Sequence, residues 1–110
     1  MSDDTRPALA WCPFPDAESA AAAADRLLDE GLIACANLIP GLRSLYAWQG
    51  AKHDEAEVGA LLKTNRACLA RLMQRLAALH PYAEPAILGW HCDAAAEGTA
   101  AWLGALSGGR

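Results

Sequence analysis

The sequence predicts an α+β fold in which four strands form an antiparallel sheet and helices cover one of its faces. Strand-like and helix-like segments follow in the order β, α, β, β, α, β, with a further short helix at the end. A short polar segment separates the two middle strands, which suits a hairpin better than a crossover. We expect residues 1–110 to form one domain, with loose polar ends at residues 1–7 and 107–110.

The first strand and helix are predicted near the N-terminus. "ALAWC" (8–12) is a short apolar segment that the prolines of "PFP" should end. Asp16 is a good helix N-cap, and Gly31 is suited to the position after the last turn. A helix between them places on one face Ala20, Ala24, Leu27 and Leu28.

The middle of the chain predicts two strands. "LIACANLI" (32–39) is apolar almost throughout, which is typical of a central strand. Pro40 and Gly41 indicate a turn or bulge, after which residues 42–48 resume as a strand. One side of that strand carries Leu42, Ser44, Tyr46 and Trp48. We expect a polar loop over residues 49–55 and a returning strand over 56–64.

The last third of the chain completes the pattern. Asn65 is positioned to cap a second helix, which His80 and Pro81 should end. The apolar stripe of this helix contains Leu69, Leu72, Met73, Leu76 and Leu79. A strand over residues 86–92 and a helix over 97–106 follow. This order is that of the ferredoxin-like βαββαβ fold, which leaves one sheet face bare and predicts an oligomer.

Composition excludes several classes of function. The formal net charge is −4, and only nine Lys and Arg residues are scattered along the chain, so we expect no nucleic-acid partner. No apolar segment approaches the roughly 20 residues of a membrane span. Without a signal-like segment, the expected compartment is the cytoplasm. The four cysteines match no CxxC or zinc-ribbon spacing, so we expect reduced thiols.

Three separated segments resemble the signature segments of the CutA divalent-cation tolerance proteins. They are "DEGLIACANLIPGLRSLYAWQG" (29–50), "KT" at Lys63 and Thr64, and "HPYAEPAIL" (80–88), in the same order and at similar separations. The resemblance covers about residues 16–88. It implies a cytoplasmic ferredoxin-like homotrimer whose hairpin strands pair between subunits, and a role in tolerance of copper and other divalent metals.

The resemblance also implies which positions are functional. The family's cysteine and asparagine after the first helix match Cys35 and Asn37, and its other motif positions match Tyr46, Trp48, Lys63, His80 and Tyr82. Some positions depart from the family pattern. Relatives commonly have carboxylates at the positions of Gln49, Ala83 and Ala86, and an apolar residue at the position of Glu84.

Cys35 and His80 are the candidate metal ligands, because copper(II) and other borderline metals bind thiolate and imidazole. Two ligands do not complete a site, so a neighbouring subunit would supply the others. The alternative is purely structural, with Cys35 as a buried strand residue and His80 as a helix C-cap. The candidates for a ligand cleft or subunit interface are Asn37, Tyr46, Trp48, Lys63, Tyr82 and Glu84.

Two functional hypotheses follow. The first is a trimeric metal-tolerance protein that binds copper(II) or another divalent cation and has no organic cofactor. The alternative is a PII-like signalling trimer that binds a small organic anion between subunits, which the missing carboxylates favour. The sequence has no nucleophile elbow, phosphate loop or HExxH motif, so we expect no enzymatic activity. A thiol enzyme that uses Cys35 is a weaker third hypothesis.

Overall fold

The computed structural model describes residues 3–108 and confirms the predicted order of elements. A 3-10 turn at Asp3–Thr5 precedes the first strand. The strands and helices are β1 (Pro7–Phe14), α1 (Ala17–Asp29), β2 (Cys35–Trp48), β3 (Ala51–Asn65), α2 (Arg66–Leu79), β4 (Leu88–His91) and α3 (Glu97–Gly104). The sheet order is β2-β3-β1-β4, and every neighbouring pair is antiparallel.

The hydrophobic core lies between one face of the sheet and the helices. Alternate residues of β1 and β3 are buried there, as the two-residue period of a strand requires. Helix α1 contributes mainly alanines, so its backbone lies close to the sheet. Leu28, predicted on its buried face, is 44% exposed, and Ala23 is buried instead. The core includes Ala10, Cys12, Phe14, Ala20, Ala23, Leu27, Leu62, Leu72 and Leu76.

Strand β2 lies at an edge of the sheet, so the prediction of a central strand for residues 32–39 is wrong. Leu32 and Ile33 are buried before the strand begins. Within β2, Leu38 packs against the core, whereas Ile39 faces the side that no helix covers and is 40% exposed. One face of the segment is apolar because it packs against the core, and the other is apolar although no helix covers it. The sequence alone does not distinguish this arrangement from a central strand with both faces buried.

The first strand continues through Pro13, so the prediction that proline ends it is wrong. Pro13 pairs with Gly59 on β3, and its carbonyl points to the opposite side, where it accepts from the His80 ring. On that side β4 pairs only as far as Trp11. The missing N–H of Pro13 therefore costs no ladder hydrogen bond.

A two-residue turn joins β2 and β3, so the predicted polar loop over residues 49–55 is wrong. Gln49 and Gly50 have φ angles of 49° and 78°, and Trp48 pairs with Ala51 across the turn. Positive φ at both central residues is the type I′ arrangement, whose twist matches that of paired strands. Residues 51–55 therefore belong to β3, and the hairpin is long.

Pro40 and Gly41 form a β-bulge, as their sequence predicts. Ile39 pairs with Gly59 and Leu42 pairs with Glu57, so two residues of β2 lie opposite Val58 alone. The extra residue changes which side chains face the uncovered side, from odd-numbered before the bulge to even-numbered after it. The predicted common side of residues 42, 44, 46 and 48 is therefore confirmed.

Replacing Gln49 with glycine is expected to stabilise the hairpin by about 0.5–1 kcal/mol, because a side chain at positive φ carries strain that glycine avoids. Urea unfolding at fixed protein concentration measures the change. Gly50→Ala is the matched control and should destabilise by about 1 kcal/mol for the same reason. A Gln49→Gly variant no more stable than the parent would contradict this account of the turn.

Both predicted helix caps are confirmed. The Asp16 carboxylate accepts from the backbone N–H of Ser19 at 2.7 Å. The Asn65 side-chain oxygen accepts from the N–H of Cys68 at 3.0 Å. Helix α2 ends before Pro81, because the preceding residue, His80, has an extended ψ of 141°.

The C-terminal elements are shorter than predicted. The predicted strand over 86–92 is reduced to four residues, and the predicted helix over 97–106 ends at Gly104. The described parts of the predicted loose ends make hydrogen bonds: Pro7 begins β1, and Gly108 N–H donates to the carbonyl of Gly31 at 3.1 Å. Residues 1, 2, 109 and 110 lie outside the described residues. No helix within residues 3–108 has the length and apolarity needed to cross a membrane.

Candidate functional site

The candidate site is a groove of about 800 Å³ between the long hairpin and the loop that follows α2. Pro13 of β1 also lines it. Its walls combine aromatic rings and carboxylates. The charged and aromatic residues that line the groove are Tyr46, Trp48, Glu55, Glu57, Tyr82 and Glu84. No lysine or arginine within residues 3–108 lines this groove.

The register of the hairpin places side chains from both strands on the groove side. After the bulge, Leu42 lies opposite Glu57 and Ser44 lies opposite Glu55. Side chains directly opposite on an antiparallel pair point to the same face. Tyr46 and Trp48 follow Ser44 at two-residue steps, so they reach the same groove.

His80 anchors the loop that forms the other wall. Its Nε2 lies 2.8 Å from the carbonyl of Pro13, and its Nδ1 lies 3.1 Å from the backbone N of Tyr82. A carbonyl only accepts and an amide N–H only donates, so these partners assign the neutral tautomer with the proton on Nε2. The ring is buried, and it stacks on Phe14 with centroids 4.2 Å apart. Both ring nitrogens of His80 are therefore engaged within the chain.

Tyr82 connects the loop to the hairpin. Its hydroxyl donates to Glu57 Oε2 at 2.9 Å, and its ring lies 4.8 Å from that of His80. Burial raises the pKa of Tyr82 well above its usual range, and the adjacent Glu57 carboxylate raises it further. Burial and the Glu55 carboxylate likewise raise the pKa of Tyr46. The phenols therefore stay protonated and can donate to the carboxylates.

The raised pKa of Tyr82 predicts a loss of stability in alkali. An unfolded tyrosine loses its proton near pH 10, before the folded one does. Stability present below about pH 10 should therefore fall as pH rises through the raised pKa. Cys12 acts in the same direction, since burial raises the pKa of its thiol to about 12. Urea unfolding between pH 8 and 11 measures the slope.

Tyr82→Phe distinguishes the contribution of Tyr82 to the alkaline loss of stability from that of the Cys12 thiol. The variant lacks the phenol, so its unfolding free energy should fall less steeply above pH 10 than that of the parent. Identical slopes in the two proteins would show that Tyr82 is not the responsible group.

The structure brings together four of the candidates that sequence analysis identified: Tyr46, Trp48, Tyr82 and Glu84. Cys35 lies elsewhere, opposite Lys63 and partly exposed on the uncovered face, with its thiol 3.6 Å from the Asn37 side chain. Lys63 in turn pairs with Leu9 on β1, which lies four residues before Pro13, the residue whose carbonyl contacts His80. Cys35 is thus roughly 13 Å along the strands from the level of His80.

Sequence analysis missed Glu55 because it assigned residues 49–55 to a loop, and it missed Glu57 because it gave the returning strand over 56–64 no register against β2. Both glutamates line the groove, and Glu57 is only 8% exposed. The available signal was the Gln49-Gly50 pair between two strand-like segments, which is compatible with a two-residue hairpin. With that turn in place, Glu55 and Glu57 fall on the side that carries Tyr46.

Three glutamates make the groove negative, which does not favour the organic anion of the PII-like alternative. They do not form a complete metal site either. Within residues 3–108, no three His, Cys, Asp or Glu side chains are grouped closely enough to hold a metal ion. The oxygen donors suit a cation, but one chain provides an incomplete coordination sphere.

Comparison with known proteins identifies the family. The family model described as CutA1 divalent ion tolerance protein matches residues 8–105. The chain is 42% identical over 95 residues to the divalent-cation tolerance protein CutA of Pyrococcus horikoshii, which covers 86% of this chain and 92% of that protein.

Solved structures show the same fold. CutA from Xylella fastidiosa superposes with a TM-score of 0.85 at 32% identity, covering 93% of this chain and 95% of that one. The periplasmic divalent cation tolerance protein CutA from Archaeoglobus fulgidus gives 0.83 at 26% identity, covering 88% and 94%. The chain therefore belongs to the CutA1 divalent ion tolerance protein family.

Proposed function

We propose that this chain acts in divalent-cation tolerance as a homotrimer that binds copper(II) or another divalent cation and catalyses no reaction. The observation that carries the proposal is the environment of Glu57. This carboxylate is nine-tenths buried, and no salt bridge within residues 3–108 includes it. Glu55, Glu57 and Glu84 line the groove and no lysine or arginine within residues 3–108 does, so the groove favours a cation.

The proposed homotrimer is supported by the sheet face that no helix covers. Its exposed apolar side chains include Leu88 at 64%, Trp90 at 43% and Ile39 at 40%. Apolar surface of this kind marks protein interfaces. The outer edge of β2 also has no pairing strand within residues 3–108 and is available to another subunit.

A second subunit would also complete the coordination sphere. Cys35 is the proposed thiolate, because it is partly exposed on the uncovered face through which subunits would meet. His80 is less suited to bind metal, since a ligand nitrogen would have to give up its contact with Pro13 or Tyr82. We propose the cytoplasm as the compartment, although the Archaeoglobus relative is called periplasmic.

Native mass spectrometry of chelator-treated protein tests this function, with Cu(II) and Zn(II) added in separate titrations. We expect a trimer that gains a fixed number of ions and loses them in Glu57→Gln. Cys35→Ala tests the thiolate, and Glu97→Gln, on the exposed first turn of α3, is the control that should bind as the parent does. A trimer that stays free of metal would contradict cation binding, and a monomer would contradict the assembly.

A further inference from the structure

A hydrogen-bonded path leads from the first strand to the carboxylate of Glu57. The carbonyl of Pro13 lies 2.8 Å from Nε2 of His80, and Nδ1 of His80 lies 3.1 Å from the backbone N of Tyr82. The Tyr82 hydroxyl then donates to Glu57 Oε2 at 2.9 Å. All members of this Pro13–Glu57 path belong to one chain, so the path is complete without a neighbouring subunit.

The donors and acceptors along the Pro13–Glu57 path have fixed roles. The carbonyl of Pro13 accepts, so Nε2 of His80 carries the proton and Nδ1 is left to accept from the backbone N–H of Tyr82. A carboxylate also accepts only, so the Tyr82 hydroxyl is the donor to Glu57. The other neutral tautomer of His80 would leave both of its partners unpaired.

Packing fixes the ring of His80 in addition to its hydrogen bonds. The residue is 7% exposed, and its ring stacks on Phe14 with centroids 4.2 Å apart. The ring of Tyr82 lies 4.8 Å away on the same loop. A side chain held by two hydrogen bonds and two ring contacts has little freedom to turn toward an ion. It is well placed to hold the backbone that it bonds.

The far end of the path orients the carboxylate of Glu57. The Tyr82 hydroxyl bonds to one carboxylate oxygen, Oε2, and thereby restricts rotation of the group. Carboxylates that bind metal ions are commonly oriented by such hydrogen bonds, and loss of the partner typically weakens metal binding about 10- to 100-fold. A carboxylate that is already oriented also loses less side-chain entropy when it binds an ion.

We propose that His80 is a positioning residue for the proposed cation site. It holds the backbone of Tyr82, the Tyr82 hydroxyl orients the Glu57 carboxylate, and His80 itself does not touch the ion. This role rests on the proposed function, because that function assigns the ion to Glu57. It replaces the role of metal ligand that the sequence predicts for His80.

Two substitutions of His80 distinguish a positioning residue from a ligand in a Zn(II) titration of the chelator-treated, full-length protein. His80→Leu removes both hydrogen bonds of the ring. His80→Asn keeps an acceptor for Tyr82, because an asparagine side chain accepts from the backbone N–H two residues later. We expect Zn(II) affinity to fall about tenfold or more in His80→Leu and to stay within about threefold of the parent in His80→Asn.

A ligand role for His80 predicts a different result. Zinc sites in proteins use imidazole, thiolate and carboxylate, and a side-chain amide does not replace them. Asparagine would then be no better than leucine at this position. Equal loss of Zn(II) affinity in His80→Asn and His80→Leu would therefore overturn the positioning role.

A double variant tests whether His80 acts through Tyr82. Tyr82→Phe removes only the hydroxyl that bonds Glu57 and should weaken Zn(II) binding about tenfold. If both residues act along one path, His80→Leu/Tyr82→Phe should lose no more affinity than the weaker-binding single variant. Losses that multiply would show that His80 acts on the ion independently of Tyr82 and would overturn the inference. Glu97→Gln, outside the groove, should bind as the parent does.

Hydrogen exchange of the Tyr82 amide in metal-free protein, followed by NMR, gives a readout that requires no ion. The amide should exchange about tenfold faster in His80→Leu and at nearly the parent rate in His80→Asn. Unchanged exchange in His80→Leu would overturn the hold of His80 on Tyr82. A parent protein that binds no Zn(II) would contradict the proposed function, whereas a parent and a His80→Leu variant that bind equally well would contradict only the positioning role.

Discussion

Asn65→Ala is expected to lower the free energy of unfolding by about 3–5 kcal/mol. The fully buried Asn65 side chain makes three hydrogen bonds. Its oxygen caps α2, and its amide donates to the carbonyls of Leu103 at 2.9 Å and Leu106 at 3.1 Å. Loss of the cap costs about 1 kcal/mol, and loss of each of the two amide hydrogen bonds costs about a further 1–2 kcal/mol. Urea unfolding measures the sum.

Asp16→Ala is the matched control, because Asp16 caps α1 at an exposed position and, within residues 3–108, its side chain bonds only to Ser19. It should cost only about 1 kcal/mol. The difference between the two variants reports the connection from Asn65 to the C-terminal segment. If Asn65→Ala were no more destabilising than Asp16→Ala, the amide contacts to Leu103 and Leu106 would contribute nothing.

Phe14→Ala is expected to destabilise the protein by about 3–5 kcal/mol and also to disturb the groove. Phe14 is 1% exposed, so its removal leaves a cavity in the core. It also stacks on His80, which holds the backbone of Tyr82. A less firmly held Tyr82 should be less buried, so its pKa should shift down toward the ordinary value. Urea unfolding and tyrosinate absorbance during a pH titration measure the two effects.

Leu27→Ala provides the control for Phe14→Ala. Leu27 is fully buried on α1 and is not one of the stacked rings of Phe14, His80 and Tyr82, so Leu27→Ala should cost about 2–5 kcal/mol without changing the titration of Tyr82. Equal changes in tyrosine titration in both variants would indicate general loosening. A change in the titration of Tyr82 that occurs only in Phe14→Ala would show that the Phe14–His80 stack holds Tyr82 in place.

The sequence was informative where local chemistry decides structure. Asp16 and Asn65 cap their helices as predicted, since a side-chain acceptor next to free backbone N–H groups acts within one turn. Pro40 and Gly41 form the predicted bulge, and Pro81 limits α2. The motifs also identified the family, which the comparisons confirm.

The predictions from sequence were wrong where the structure of a segment depends on which strand or helix packs against it. The apolar segment 32–39 is compatible with a central strand, but the fold places β2 at an edge and leaves Ile39 exposed. The polar residues 51–55 suggest a loop, yet pairing with β2 extends β3 through them. Hydrophobicity alone does not specify the partner of a strand, whether that partner lies far along the chain, as for β1 and β3, or directly across a two-residue turn, as for residues 51–55.

The sequence by itself determined the order of elements, the caps and the bulge, because each depends on residues that are neighbours in the chain. It also determined the family, because the three signature segments are recognisable in order without the fold. Only the tertiary structure showed which residues line the groove. It placed Glu57 beside Tyr82, 25 positions away, and occupied both ring nitrogens of His80. Folding places Glu57 on the groove wall, 8% exposed and in no salt bridge within residues 3–108, because the pairing of β2 with β3 sets the side of the sheet that it faces.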